Sequence, residues 1–308
     1  MKLKALWKNT VKHKGLLLLA LPGVVIMFMF NYVPLFGLTL AFKKLDFSLG
    51  IFESPWCGLD NFRIFITSKR VIWRLLRNTI GYWALFTSIG MICNVGLALA
   101  LNECRGKRFK KYAHTIMIAP TFMSWVAITF IVKALLNESS GLINSLLETF
   151  GVDTVAWYSS PDKWPVILTL VNIWKSTGYG AIIYLSAISG MDESLYEAAE
   201  IDGATRWQCM TKITLPLLVP LITVMLLMSL GGIMSSNTGL FYQVTCNVGI
   251  LYPTTQTIDT YILNALTSGN SDYGMTSAVT FLQSVVGCIT VISANALVRR
   301  YNNENALY

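Results

Sequence analysis

Apolar residues in this chain come in long runs separated by short polar or charged stretches. Six runs reach the roughly 20 residues that a helix needs to cross about 30 Å of hydrocarbon. They fall at 15–41, 79–101, 113–136, 166–190, 215–236 and 274–298. The pattern predicts an all-α integral membrane protein with six transmembrane helices: a basic arm over 1–14, a helical domain over 15–298 and a tail over 299–308. The first run follows Lys2, Lys4, Lys8, Lys12 and Lys14, as a signal peptide would. It extends well past the usual 7–15 or so apolar residues and has no small-residue cleavage site, so it reads as a retained helix. Pro22 and Pro34 are expected to kink it, and Gly231-Gly232 to permit close packing or a bend in the fifth.

Composition sharpens this reading. Hydrophobic residues make up 54% of the chain and charged residues 13%, about half the charge of an average soluble domain. A soluble enzyme, a disordered chain and a nucleic-acid binder are all disfavoured. The net charge of +8 then marks membrane sidedness rather than a polyanion partner. With the N-terminus inside, fourteen Lys and Arg fall on the inner side and eight on the outer, while Lys133 and Lys175 lie within spans. Both termini are therefore expected in the cytoplasm, with the chain multi-pass in the plasma membrane. Lys69, Arg70, Arg74 and Arg77 suggest a surface helix on the outer side with its stems along the lipid. Leu142, Ile143, Leu146, Leu147 and Phe150 suggest a short helix stopped by Gly151, lying on the membrane or docking a partner.

Catalytic signals are missing. The chain has no GxxxxGK[ST] loop, no HExxH and no GxSxG. Its two histidines, His13 and His114, are far apart, and its six cysteines contain no CxxC pair. No catalytic residue, metal site or cofactor is expected, and any energy for pumping would come from elsewhere.

The loop at 191–214 carries the strongest local pattern. Ser194-Leu195-Tyr196-Glu197 reads as a capping box that starts a short helix. Ala198 and Ala199 extend that helix, Asp202-Gly203 breaks it, and a second short helix is expected over 204–212. Pro216 suits the first turn of the next span. Such an elbow fits a groove on another protein, although a solvated helical hairpin fits the residues as well.

The string Glu197-Ala198-Ala199-Glu200-Ile201-Asp202-Gly203-Ala204, with Ile213-Thr214-Leu215-Pro216 behind it, resembles the EAA signature of ABC-importer membrane subunits. Further strings extend the resemblance over nearly the whole chain: Pro34-Leu35-Phe36-Gly37, Gly58-Leu59-Asp60-Asn61-Phe62, Ala98-Leu99-Ala100-Leu101-Asn102-Glu103, Ser124-Trp125-Val126 and Ile258-Asp259-Thr260-Tyr261. Together they resemble the maltose-type sugar permeases, in their oligosaccharide and polysaccharide branch. The resemblance implies a six-transmembrane-helix type I ABC importer permease. It also implies a second, homologous permease subunit, two cytoplasmic ATPase subunits that bind the ATP, and an extracellular sugar-binding lipoprotein. By matching position, Glu197, Ala198, Ala199, Asp202 and Gly203 would couple to the ATPase. The sequence departs from the family pattern at 237–247, where an outer gate is expected.

An ionisable residue at membrane depth is costly and marks a candidate site. Lys175 lies nine residues into the fourth predicted span, about 14 Å deep at 1.5 Å per residue. Asn172, Trp174 and Tyr179 accompany it, and Ser124, Trp125, Asn237 and Gln283 stand on other spans. Hydroxyl-rich sugars with flat CH faces suit such a set, and packing between helices or against the partner permease is the alternative for the same residues. The competing function is a secondary transporter working alone on an ion gradient, for which internal repeats and charged relays are the expected signs.

Overall fold

A computed structural model of the chain describes residues 14–104, 106–267 and 272–301. The basic arm up to His13, Arg105 and the tail beyond Tyr301 lie outside the described residues. Among the described residues the chain is helical and has no β-strand, with one isolated bridge between Lys43 and Trp56. Five helices among the described residues are long and apolar enough to cross a membrane: Lys14–Phe42, Lys69–Glu103, Pro161–Ser189, Arg206–Leu230 and Tyr273–Arg300. A sixth crossing forms if Arg108–Phe122 and Trp125–Leu136, bent by 101° at their junction, count as one span.

The chain divides into two units, the first comprising residues 1–67 and 265–282, the second residues 68–264 and 283–308. In the first unit, the helix that begins at Lys14 turns π-helical over Phe28–Tyr32 and 3-10 over Val33–Phe42, with Pro34 in the opening turn of the 3-10 stretch. Within this unit Leu16, Leu18, Leu19 and Phe30 are all exposed. An apolar helix of this kind suits a hydrocarbon surrounding, because its own backbone bonds leave no polar group unpaired. Asn61 closes its end, Nδ2 donating to the carbonyls of Leu40, Ala41 and Lys43 at 3.0, 3.1 and 2.9 Å.

In the second unit, the Lys69–Glu103 and Pro161–Ser189 spans pack side by side. One apolar cluster contains Tyr82, Ile128, Trp164, Leu168, Leu240 and Phe241, and another contains Val95, Ala98, Ala181, Tyr184 and Leu218. Leu142–Thr149 is the short helix expected from the sequence, stopped at Gly151 with φ +72°. Its Asn144 is buried and bonds to Glu138, Val155 and Trp157, while Leu142, Leu146 and Phe150 remain exposed.

Four sequence expectations need correction. Lys69, Arg70, Arg74 and Arg77 form the first turns of a 35-residue span, not a separate surface helix. Two of these side chains bind the segment before the last span: Arg74 donates to Gln256 Oε1 at 2.6 Å and Arg77 to the Pro253 carbonyl at 2.7 Å. The third span, expected to be continuous over 113–136, breaks after Phe122. The fifth ends at Leu230 rather than at Ser236, because Gly231 and Gly232 unwind the chain there. The residues after it re-enter as a π-helical turn, Gly239–Val244, which buries Leu240, Phe241 and Val244. The fourth correction concerns the elbow.

Candidate functional site

The elbow is built from local rules. Its first helix is Glu193–Ile201, and its N-cap is Asp192, whose carboxylate accepts from the Ser194 N–H at 3.0 Å. The sequence placed the cap at Ser194 with Glu197 in reply, two residues too late; Asp192 is the stronger acceptor at that turn. The N–H and hydroxyl of Ser194 hold the Asp192 carboxyl below its ordinary range, so the cap is ionised at neutral pH. At the other end Gly203 takes φ +78°. The Ala204 N–H reaches the Ala199 carbonyl at 2.9 Å and the Gly203 N–H reaches Glu200 at 3.0 Å, which together form a Schellman stop. The second short helix expected over 204–212 is instead the opening of the fifth span. Thr205 and Gln208 cap that span reciprocally, and it runs on without interruption to Leu230.

Tyr196 ties the elbow to the bundle through Thr214 Oγ1 at 2.9 Å. A cavity of about 480 Å³ beneath it is lined by Glu103, Glu193, Tyr196, Glu200 and Arg206 among others. Glu197, Ala198, Asp202 and Gly203 face outward and Ala199 is half-buried. Beside them two large apolar side chains are also uncovered, Ile201 at 87% exposure and Trp207 at 69%. From Asp192 to Asp202 the chain carries five acidic residues and no basic one. The elbow therefore offers an apolar knob on an acidic ground.

Lys175 occupies a second site, at the break in the third span. A break at membrane depth strands carbonyls, and each one left unpaired in hydrocarbon costs several kcal/mol. Here Lys175 Nζ donates to the carbonyls of Pro120, Thr121 and Met123 at 3.1, 2.9 and 2.6 Å. An ammonium has three donors, and all three are used. Thr121 returns a bond from Oγ1 to the Lys175 carbonyl at 2.8 Å, and the ammonium lies 5.1 Å from the Trp125 ring centroid. The stranded carbonyls and the half-buried cation neutralise one another's cost.

The remaining candidates do not gather in one place. Ser124 caps the outgoing half of the broken span, accepting from Ala127 N–H at 3.1 Å, and Asn237 Oδ1 accepts from Leu240 N–H at 3.2 Å. Gln283 is buried and donates to the Met234 carbonyl at 2.6 Å and to Asp259 at 3.2 Å. On the fourth span Trp174 and Tyr179 are exposed; Asn172 and Tyr179, seven residues apart, share one stripe of the helix, and Trp174 lies on another.

Sequence reasoning missed Asp259 as a structural acid. Its carboxylate accepts from the Ser236 N–H, from Ser236 Oγ at 3.0 Å and from Gln283. It thereby joins the segment that follows the fifth span to the sixth. Asp259→Asn puts an amide donor where donors already point. It is expected to cost about 1.5–3 kcal/mol, the worth of bonds to a charged acceptor. A thermal melt of the detergent-purified chain checks this, and an unchanged midpoint would remove Asp259 from the framework. The same stretch contains Cys246 and Asn247, both at positive φ, 54° and 50°. Reciprocal amide bonds between Asn247 and Asn264, 2.8 and 3.1 Å, hold it in place. Asn is among the few side chains that tolerate this backbone, and that is the one sequence signal that marks the turn.

Residues 87–303 match the family described as the binding-protein-dependent transport system inner membrane component. The chain is 34% identical to the polygalacturonan/rhamnogalacturonan transport system permease protein YteP of Bacillus subtilis (strain 168), over 98% of this chain and 93% of the relative. It also resembles a chain in the crystal structure of a bacterial ABC transporter involved in the import of the acidic polysaccharide alginate. The TM-score there is 0.86 at 33% identity, covering 97% of this chain and 99% of that one. A second structure, of the bacterial alginate ABC transporter in complex with an alginate pentasaccharide-bound periplasmic protein, matches with a TM-score of 0.85 and 33% identity, over 96% and 98% of the two chains.

Proposed function

The chain belongs to the family of binding-protein-dependent transport system inner membrane components, and on that premise we propose that it is one permease half of an ATP-driven oligosaccharide importer. A second, homologous permease completes the path. Two ATPase subunits on the cytoplasmic side grip the 191–214 elbow and bind the ATP, and an extracellular lipoprotein delivers the sugar. The elbow and both termini face the cytoplasm. This chain itself carries no catalytic residue and no cofactor.

The observation that carries the reading is the elbow. A Schellman stop at Gly203 holds Ile201 out into water at 87% exposure beside a run of acids. A soluble surface gains nothing from a bare isoleucine there, whereas a helix-in-groove partner supplies its burial. ATP binding draws the two elbows of the dimer together and shifts the helices toward the outward-facing state, a population shift driven by differential contacts at the elbow. Along the path, Trp174, Tyr179 and Asn172 of the fourth span offer aromatic faces and amide groups to sugar, with Trp125 and Lys175 at the break, and Ser124, Asn237 and Gln283 supporting from neighbouring elements. The relatives named for polygalacturonan/rhamnogalacturonan and for alginate favour an acidic oligosaccharide as cargo.

Affinity purification of the tagged chain in mild detergent tests the assembly. An ATPase and a second permease are expected to remain bound, in amounts comparable to the tagged chain. Recovery of the chain alone, together with gradient-driven uptake when it is reconstituted by itself in liposomes, would favour a secondary transporter instead.

A further inference from the structure

Lys175 has no carboxylate to answer. Among the described residues the one ion pair is Arg206 with Glu103, 3.6 Å apart. Its charge is spent on three carbonyls of the broken span and on the ring of Trp125. Trp125 in turn is the first residue of the outgoing half, Trp125–Leu136. Its indole lies so close to Gly239 that a Cβ there would sit 2.1 Å from Cδ1 and 2.5 Å from Cγ. Gly239 opens the re-entrant turn Gly239–Val244, whose Leu240, Phe241 and Val244 enter the same apolar cluster as Ile128 and Val132 of the outgoing half. The ammonium, the indole and the glycine backbone therefore form a contiguous series of contacts from the fourth span, through the break, to the re-entrant turn.

We propose that Lys175 is a positioning residue for transport: it fixes the bend of the third span and, through Trp125, sets where the re-entrant turn rests. The turn is a short element whose Leu240, Phe241 and Val244 enter the core of the second unit, and a barrier to passage needs such a buried apolar element. A methionine in place of Lys175 fills similar volume but takes a donor from each of the Pro120, Thr121 and Met123 carbonyls, of which Pro120 keeps the Met123 N–H at 3.1 Å, and leaves the indole without its cation. The outgoing half can then rotate, and the turn with it. Arginine keeps the donors and the cation–π contact. Gly239→Ala reaches the same state from the other side, by driving the indole off its seat.

This inference rests on the transport reading for its consequence in uptake, and it has a structural readout that does not. Cys246 follows the re-entrant turn and is half-buried, and the other five cysteines can be replaced by alanine. In nanodiscs, labelling of Cys246 by a water-soluble maleimide is expected to accelerate by about fivefold or more in Lys175→Met and in Gly239→Ala, a shift that a modest population change produces. Lys175→Arg should remain near the unsubstituted rate. In the reconstituted importer, uptake per ATP hydrolysed falls in the first two variants and is restored in the third, while the ATPase still co-purifies. The double variant Lys175→Met/Gly239→Ala is expected to be no worse than the worse single, because both act on one contact series. Unaltered Cys246 labelling in both single variants, or strictly additive losses in the double, would overturn the proposal. If Lys175→Met fails to accumulate, Gly239→Ala decides alone: labelling at the unsubstituted rate defeats it. An unsubstituted chain that binds no ATPase would sink the importer reading and leave the labelling result standing.

Discussion

Ile201→Glu is expected to abolish uptake while leaving the protein inserted and folded. Ile201 is the last residue of the Glu193–Ile201 helix, and 87% of it is open to water. Removing it takes almost nothing from the chain's own packing, so a loss of function must come from a partner. A central apolar anchor contributes about 2–4 kcal/mol to an interface, and a glutamate placed in the same pocket adds the cost of an uncompensated charge. Association with the ATPase should therefore weaken by roughly 100-fold or more. Trp207→Ala, flanking the same surface at 69% exposure, should give a smaller loss in the same direction. Gly203→Ala imposes a left-handed backbone on a side chain at a cost of about 1–2 kcal/mol, so it should weaken coupling without ending it. Co-purified ATPase and uptake in cells are the measurements. Normal uptake by Ile201→Glu would show that the elbow grips nothing.

The elbow was legible in the sequence because its rules are local: a glycine after a run of helix formers, an acid near the start and an alanine pair between. What the sequence hid was the exposure of Ile201, since an isoleucine in a helical pattern ordinarily reads as the buried side. The spans at 79–101 and 166–190 were legible for a cruder reason, sheer length of apolar run, although the structure starts the first of these ten residues earlier, at Lys69. The broken third span was not. Between Ala119 and Met123 the apolar run is interrupted only by Pro120 and Thr121, a weak hint of the break. Lys175 stood out as an anomaly, yet its partners are backbone carbonyls 52 to 55 residues away in sequence, and carbonyls have no signature in a list of side chains. The re-entrant turn escaped for a similar reason. Its six residues are too few to read as a span, and what holds it is an Asn247–Asn264 pair and the Asp259 carboxylate, each made only by the fold.

The other large effect is expected at Gly178. A Cβ built on it would lie 1.9 Å from the Met117 carbonyl oxygen, 2.3 Å from the carbonyl carbon and 2.8 Å from the Ile118 nitrogen. Every one of those atoms is backbone, so no side chain can swing aside. The fourth span would have to move bodily away from the incoming half of the third, and this is the crossing that Lys175, three residues earlier on the same face of the helix, holds one turn away. Overpacking of a well-fitted core costs about 1–3 kcal/mol when side chains can adjust; here they cannot, and Gly178→Ala should reach or exceed the top of that range. Gly178→Val should leave no folded protein to purify. Gly96 supplies the control, because nothing lies within 4 Å of a Cβ added there. In mid-helix that alanine removes a glycine's entropic handicap of about 0.5–1 kcal/mol, so Gly96→Ala should melt at the same temperature or higher. If thermal melts in detergent instead rank the two alanine variants together, the close crossing at Met117 is not what joins these spans, and the clamp at Lys175 loses the fixed helix against which it acts.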